Sequence, residues 1–343
     1  MTSRATLQDV AREAGVSVAT VDRVLNNRDG VRARTREIVL GAALRLGYVA
    51  EEDAQPETRA AGPALRFAFV FPAGTNTFIH ALARQIELQA AERPGIAARV
   101  EELEGFNPHS LAARLDSLKS EVDGVGLIAQ DHPLVREAIR SLHQANVPVV
   151  TLASDVMSVP RLAYVGIDNR QAGRLAGHLM GRFMCGRTPA KVALFAGSLS
   201  YRGHEEREVG FRNILRDEFA NLQIVELREI LDDSERGYSE TRALLAAHPD
   251  LAGIYNVGGG TEGVARALKE AGQARKVIMI GHDATENNKQ LLLDGTLDAV
   301  IDQNPRVEAR EALNLLTAAA QGEKYAYVPL RLQVVFRENL PYD

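Results

Sequence analysis

The sequence predicts two fold classes in series: an all-α helix-turn-helix head, then a two-lobed α/β body built on two doubly wound parallel sheets. Three observations carry this expectation. Within residues 6–48, apolar residues recur at three- and four-residue spacing in three short blocks. From Leu65 onward, continuous apolar runs alternate with amphipathic stretches of ten or more residues, the pattern of a parallel sheet covered on both faces. Eleven such runs can be placed, more than one sheet takes comfortably, so the body is expected to divide into two lobes.

The head is built from three helices. Thr6 offers an N-cap, and Leu7, Val10, Ala11 and Ala14 form one apolar face that Gly15 ends. Ser17 offers a second N-cap for a helix through about Asn26, whose Val21, Val24 and Leu25 pack against the first. The turn between them is only Gly15-Val16-Ser17, short enough for a DNA-binding helix-turn-helix. A third helix is expected from about Arg32 to Leu46, with Ile38, Ala42, Ala43 and Leu46 inward and Gly47 at its left-handed C-terminal position. Residues 1–48 hold eight arginines against five acids, a surplus of three in a chain of net charge −5, which leaves about −8 on the rest. A phosphate-facing head on an acidic body would show this asymmetry. A three-helix protein-binding module with a solvated arginine face is the alternative.

In the body, strands are expected at 65–71, 97–102, 124–128, 147–152, 162–167, 192–196, 223–229, 253–257, 277–281, 299–302 and 328–336, with helices such as 79–92, 134–144, 171–184 and 308–320 between them. Ligands of open α/β sheets bind beyond the carboxyl ends of the strands. The residues expected there are Asn76 and Phe78, Gln130 and Asp131, Ser154 and Asp155, Asn256, Asp283 and Gln303, with Arg207 in the segment after Ala196. Acids accept from hydroxyls, an arginine donates bidentately and an aromatic ring covers an apolar face, a set suited to a neutral sugar or polyol. Singly, an Asx after a strand is a turn former or helix cap, and Phe78 a core residue. Their joint placement at one sheet end is what points to a site.

A second motif competes. Gly258, Gly260 and Gly263 spell G-x-G-x-x-G between a strand and a helix, and Asp283 lies twenty residues beyond Gly263, as in a dinucleotide fingerprint. An NAD-dependent sugar or polyol dehydrogenase is therefore the enzyme alternative. Against it, the motif stands in the eighth strand-helix unit, no Ser-Tyr-Lys proton relay accompanies it, and the same glycines let a ligand approach the backbone. No Gly-Lys-Ser/Thr phosphate loop is present. Eight scattered histidines without cysteine partners or HExxH spacing disfavour zinc, so neither metal nor cofactor is expected. Cys185, the one cysteine, forms no internal disulfide and is expected to be a buried structural thiol after Phe183-Met184. With no long apolar run and no signal-peptide pattern, a cytoplasmic location is expected.

The head resembles the N-terminal signature of the lactose-repressor (LacI/GalR) family. The resemblance is carried by Thr6-Leu7-Gln8-Asp9-Val10-Ala11, Ala14-Gly15-Val16-Ser17, Ala19-Thr20-Val21, Arg23-Val24-Leu25-Asn26 and Thr35-Arg36 to Gly47-Tyr48, without gaps. It implies a recognition helix in the major groove carrying Ser17, Val18, Ala19, Thr20 and Arg23. Val18 and Ala19 would meet thymine methyls, and Arg23 a guanine or phosphate. Thr6, Asn26, Arg32, Thr35 and Arg36 complete the implied DNA-binding set. Asp22 stands where the family has serine. In the segment 50–64, Glu57 stands where the family places a groove-kinking leucine, beside Pro56 and after three consecutive acids, so a flexible tether is expected in place of a hinge helix.

Residues 65–340 resemble a periplasmic sugar-binding protein of the ribose-binding type. The matching segments are Pro72 to Phe78, Pro148 to Leu152, Glu206 to Phe211, Gly281-His282-Asp283 and Ile301 to Pro305. Ala153-Ser154 depart from the Asp-Arg pair of ribose binders, and Ser154-Asp155 stand one residue on. The resemblance implies a head at 1–49, a linker at 50–64 and an effector and dimerisation domain at 65–343, with one lobe of 65–167 plus 304–326 and another of 168–303 plus 327–341. It further implies a non-enzymatic transcription regulator, most simply a repressor. A homodimer or higher oligomer, meeting through helices near Leu82–Ala90 and Arg306–Leu316, would read pseudo-palindromic double-stranded operator DNA. A sugar or polyol closing the cleft would control it. A stand-alone sugar receptor is the remaining alternative.

Overall fold

The computed structural model describes residues 6–25, 31, 33–46, 48, 64–104, 107–185 and 189–341. The chain separates into two compact units, 1–63 and 64–343.

In the first unit, α1 (Leu7–Ala14), α2 (Val18–Leu25) and α3 (Ala33–Arg45) enclose a small core of Val10, Ala11, Val21, Val24, Val39, Ala42 and Ala43. Thr6 caps α1 in a reciprocal box: its hydroxyl accepts from the Asp9 amide, and the Asp9 carboxylate accepts from the Thr6 amide at 3.0 Å. Gly15 ends the helix at φ +66°. Ser17 caps α2 as expected, its Oγ accepting from the Thr20 amide at 3.2 Å. The third helix turns one residue from the expected register. Val39 joins Ala42 and Ala43 inside, while Ile38 and Leu46 are exposed, because 39, 42 and 43 share one face of the helix. The expectations for Gly47 and for residues 50–63 fall outside the described residues.

The second unit holds two sheets. The first consists of β1 (Leu65–Pro72), β2 (Ile96–Leu103), β3 (Gly124–Leu127), β4 (Val149–Leu152) and β5 (Ala163–Val165), in the order β2-β1-β3-β4-β5 and parallel throughout. The second consists of β6 (Ala190–Ala196), β7 (Leu222–Glu229), β8 (Leu251–Asn256), β9 (Ile278–His282), β10 (Ala299–Asp302) and β11 (Gln333–Val335), in the order β11-β10-β9-β8-β6-β7. Only β11 runs antiparallel, against β10. It is much shorter than the run 328–336 suggests: Pro329 has no amide to donate to a ladder, and Val328 is exposed.

Helices α4 (Thr77–Ala91), α5 (Pro108–Leu118) and α6 (Pro133–Gln144) connect strands of the first sheet, and α7 (Asn169–Phe183), α8 (Arg202–Glu218), α9 (Ser234–Ala247), α10 (Thr261–Glu270) and α11 (Glu286–Asp294) those of the second. The fourth helix of the first lobe is α12 (Pro305–Ala320), which returns from the second sheet to pack on α4 and the strands of the first. Four of the five core clusters are split two to a sheet, one on each face, which is why the strands read as unbroken apolar runs.

The strand order reverses between β1 and β3 in one sheet and between β6 and β8 in the other. Crevices open beyond the carboxyl ends at such switch points. A close helix contact sets the second one. A Cβ added to Gly173 of α7 would lie 1.9 Å from the carbonyl oxygen of Arg207, so only glycine lets α8 approach. Gly173→Ala is expected to cost about 1–3 kcal/mol or more through overpacking, read as a lowered calorimetric midpoint.

Cys185 is exposed, contrary to expectation. It follows the last turn of α7, where Met184 takes the buried position.

Candidate effector site

A cavity of about 70 Å³ lies between the switch points of the two sheets. The first sheet contributes the Pro72–Phe78 loop, Ile128 and Ala153-Ser154, and the second contributes Tyr201, His204, Arg207, Leu231-Asp232, Gly258, Asp283 and Gln303.

Arg207 is buried in the second turn of α8. Its Nε donates to Asn169 Oδ1 at 2.7 Å and its Nη1 to the Val257 carbonyl at 2.8 Å, so the guanidinium plane is fixed before any ligand arrives. Asp283, at φ +67°, accepts from Gln303 Nε2 at 3.0 and 3.3 Å. Phe78 lends a ring and Tyr201 a second aromatic wall.

The lobes are bridged across the cavity mouth. Thr75 Oγ1 donates to the Asp232 carbonyl and Asn76 Nδ2 to Asp232 Oδ2, both at 3.0 Å. Gln130 Nε2 donates to Ser200 Oγ at 3.0 Å, and the Gly203 amide to Ser154 Oγ at 3.1 Å. Asp232 is the busiest of these groups, since its Oδ1 also accepts from the Gly259 amide at 2.7 Å. Leu231 and Asp232 both hold positive φ, +52° and +55°, which turns the carboxylate toward the opposite lobe.

Burial governs the charges. Desolvation pushes the Asp283 carboxyl up to about 7, against the pull of Arg207. Behind the cavity wall, burial and then the neighbouring Asp283 drive Glu308 well above the usual carboxylate range, and burial raises Asp302. Burial lowers His204 and drives His282 well below the imidazole range, so both ring systems are neutral near pH 7.

Of the residues expected from sequence, Asn76, Phe78, Ser154, Arg207, Asp283 and Gln303 line this one cavity. Asp131, Asp155 and Asn256 do not. Asp131 pairs with Arg136 at 2.6 Å, and Asp155 with Arg161 at 2.5 Å and Thr151 at 2.8 Å. Asn256 Nδ2 donates to the Gly258 and Gly259 carbonyls and to Thr261, shaping the glycine loop from beneath. Asp232 and His204 were not singled out by sequence. Asp232 follows the carboxyl end of β7, so the strand-end rule extended to every strand would have found it; His204, inside a helix, gives no such signal.

The glycine motif has a structural explanation. Gly260 sits at φ +76° before α10, and a Cβ on Gly263 would lie 1.7 Å from the Ser234 carbonyl oxygen, so these glycines close a turn and seat α10 on α9.

In the head, Val18, Ala19 and Arg23 of α2 are exposed, Thr20 and Thr35 are half-buried, and Thr6 and Ser17 are engaged in capping. Asn26, Arg32 and the Arg36 side chain fall outside the described residues. Among the described residues no helix is long and apolar enough to cross a membrane, and no group of three or more His, Cys, Asp or Glu could hold a metal.

A three-helix reader with a presented second helix, followed by a two-lobed receptor with a cavity at its switch points that carries a buried arginine and two acids, defines a ligand-responsive DNA-binding regulator. Comparison with known proteins agrees. Residues 6–51 match the model of bacterial regulatory proteins of the lacI family, and residues 67–324 that of the periplasmic binding protein domain. The ribose operon repressor of Halalkalibacterium halodurans is 30% identical over 256 residues, covering 73% of this chain and 70% of that protein. The ribose import binding protein RbsB of Salmonella typhimurium is 27% identical over 210 residues, 61% of this chain and 69% of that protein. In fold, the body is similar to GanP, a glucose-galactose binding protein from Geobacillus stearothermophilus, with TM-score 0.74 at 24% identity over 82% of this chain and 100% of that one. The chain belongs to the lacI family of bacterial regulatory proteins. It is a DNA-binding transcription regulator and not an enzyme, which removes both the dehydrogenase and the stand-alone receptor as readings.

Proposed function

We propose that this protein is a cytoplasmic repressor whose operator affinity is set by a sugar or polyol held in the cavity between Arg207, Asp283, Gln303, Asn76, Ser154 and Phe78. The observation that carries the reading is convergence: these six side chains come from five separate segments and meet at one small cavity in a chain that also carries a DNA reader. Asp283 accepts from ligand hydroxyls, Arg207 donates its free Nη2 edge, and Phe78 covers an apolar ring face. Closure of the lobes around the ligand changes their relative orientation, and the response is bounded by the ligand's differential affinity for the two states.

The head acts as a homodimer on a pseudo-palindromic site, because one helix-turn-helix reads too few base pairs alone. The dimer forms through the helix pair α4 and α12. On α4, Leu82, Ile86 and Ala90 face the core and Leu88 is the exposed apolar residue available to a second copy. Val18, Ala19 and Arg23 enter the major groove, with Ser17, Thr20, Thr6, Asn26, Arg32, Thr35 and Arg36 on bases or backbone around them. Arg23→Ala is expected to cost about 1–3 kcal/mol of operator affinity while leaving the ligand-induced rise in melting temperature intact.

A thermal-shift screen of sugars and polyols, followed by operator binding by fluorescence anisotropy with each hit, tests the reading. It fails if no hit changes operator affinity, or if hits do so equally in Arg207→Ala.

A further inference from the structure

We propose that the effector is a deoxy sugar or deoxypolyol, and that the first lobe, through Phe78, Ile79, Ile128 and Ala153, receives the carbon that lacks a hydroxyl. The proposal rests on the cleft assignment above and deepens it by naming the ligand class.

Polar and apolar lining are divided between the lobes. Among the described residues the first lobe brings three polar side chains to the cavity, Thr75, Asn76 and Ser154, and each is already engaged. Thr75 Oγ1 donates to the Asp232 carbonyl, and Asn76 accepts the Phe78 amide on Oδ1 and donates from Nδ2 to Asp232. Ser154 Oγ accepts from the Gly203 amide. Three of these bonds join the lobes, so a ligand hydroxyl that sought the same atoms would compete with closure. The wall beside them is continuous with the core: Phe78, Ile79 and Ile128 belong to one buried apolar cluster, and Ala153 packs against it.

The second lobe keeps its polar functions for a ligand. Arg207 commits Nε and Nη1 to Asn169 and the Val257 carbonyl and keeps Nη2, and the Asp283 carboxyl is met by Gln303 Nε2. Gln303 is 3% exposed, and its Oε1 has no donor. His204 has Nδ1 engaged by Ser198 and Nε2 not. One edge of a ligand can therefore satisfy Arg207, Asp283 and Gln303 with hydroxyls, each of which donates and accepts. A fully hydroxylated ring that does so turns its other edge to the apolar wall. A hydroxyl placed there loses its bonds to water and gains none, whereas a methyl or methylene leaves water for an apolar surface. A deoxy ligand matches both sides.

The test is isothermal titration calorimetry of the full chain against matched pairs that differ by one hydroxyl: L-fucose with L-galactose, L-rhamnose with L-mannose, deoxyribose with ribose, and fucitol with galactitol. In at least one pair the deoxy member is expected to bind about ten- to a hundredfold tighter than its parent. Ala153→Asp sets an acceptor in the apolar wall, at a position of φ +53° that aspartate adopts readily, and should bring that ratio toward one. Ile128→Thr keeps the branched shape, adds a hydroxyl to the same wall and should act in the same direction, so it serves if the aspartate variant does not fold. Parents that bind as tightly as their deoxy partners in every pair overturn the proposal and leave the cleft assignment standing, as does a deoxy preference that both variants retain. If no member of any pair binds, the sugar reading of the cleft fails as well. If ligands bind but Arg207→Ala leaves all their affinities unchanged, the cleft assignment itself fails.

Discussion

Arg207→Ala abolishes the effector response and leaves operator binding by the helical head intact. The buried guanidinium is the cavity's only cation and is held by two hydrogen bonds, to Asn169 and to the Val257 carbonyl. Truncating a buried, hydrogen-bonded charge costs about 2–5 kcal/mol of binding, so effector affinity should fall by about one and a half to three and a half orders of magnitude. The same change lowers stability, because Asp283 and Glu308 lose the positive charge that Arg207 sets beside them. Anisotropy titrations of operator DNA with and without ligand check this: wild-type operator affinity together with a vanished ligand effect is the expected pair, and a retained ligand effect would contradict the site.

Between about pH 6.5 and 8 the protein is expected to lose stability as pH rises through the raised Asp283 carboxyl, and Glu308→Leu is expected to raise stability at both ends of that range. Asp283, raised to about 7, and Glu308, raised well above the usual carboxylate range, hold protons in the folded protein that the unfolded chain has already given up near its ordinary carboxylate range. The folded state therefore binds more protons, and stability falls by about 1.4 kcal/mol per pH unit for each such proton. The stabilisation is present below the unfolded values and lost through the folded ones. His204 and His282, lowered by burial, oppose this only below about pH 6.5, where the unfolded chain takes up their protons. Leucine at 308 replaces a carboxyl with two unmet oxygens by a side chain of similar size, a gain of about 1–3 kcal/mol. Chemical denaturation at pH 6.5 and 8 measures both effects; equal stability at the two pH values in wild type would refute the assignment of buried protons.

Much of this was legible from residue order. Strands of a doubly wound sheet are apolar on both faces, so eleven runs could be placed without any contact information, and the strand-end rule recovered six side chains of the cavity. It failed where an Asx residue has a local partner. Asp131 and Asp155 look like Asp283 in sequence, but Arg136 and Arg161 take them, and those pairings depend on helix and loop directions that spacing does not encode. Ile38 against Val39 is a one-residue ambiguity in a helix with apolar residues on several faces. His204 and Glu308 were invisible for another reason: each sits inside a helix, and their significance arises only when the second sheet and α12 bring Asp232, Asp283 and Asp302 beside them.

Five hydrogen bonds cross the cavity mouth: four from Thr75, Asn76, Gln130 and the Gly203 amide, and one from the Asp131 amide to the Ser200 carbonyl at 3.2 Å. At about 0.5–1.5 kcal/mol each, they hold the lobes together with about 2.5–7.5 kcal/mol. Reversing a two-state population from one part in a hundred to its mirror takes about 5.5 kcal/mol. The closed arrangement is therefore held by an amount one small ligand can match, and substitutions at Thr75 or Gln130, the bridging side chains outside the proposed ligand set, should reset the concentration at which the gene responds without touching the DNA reader.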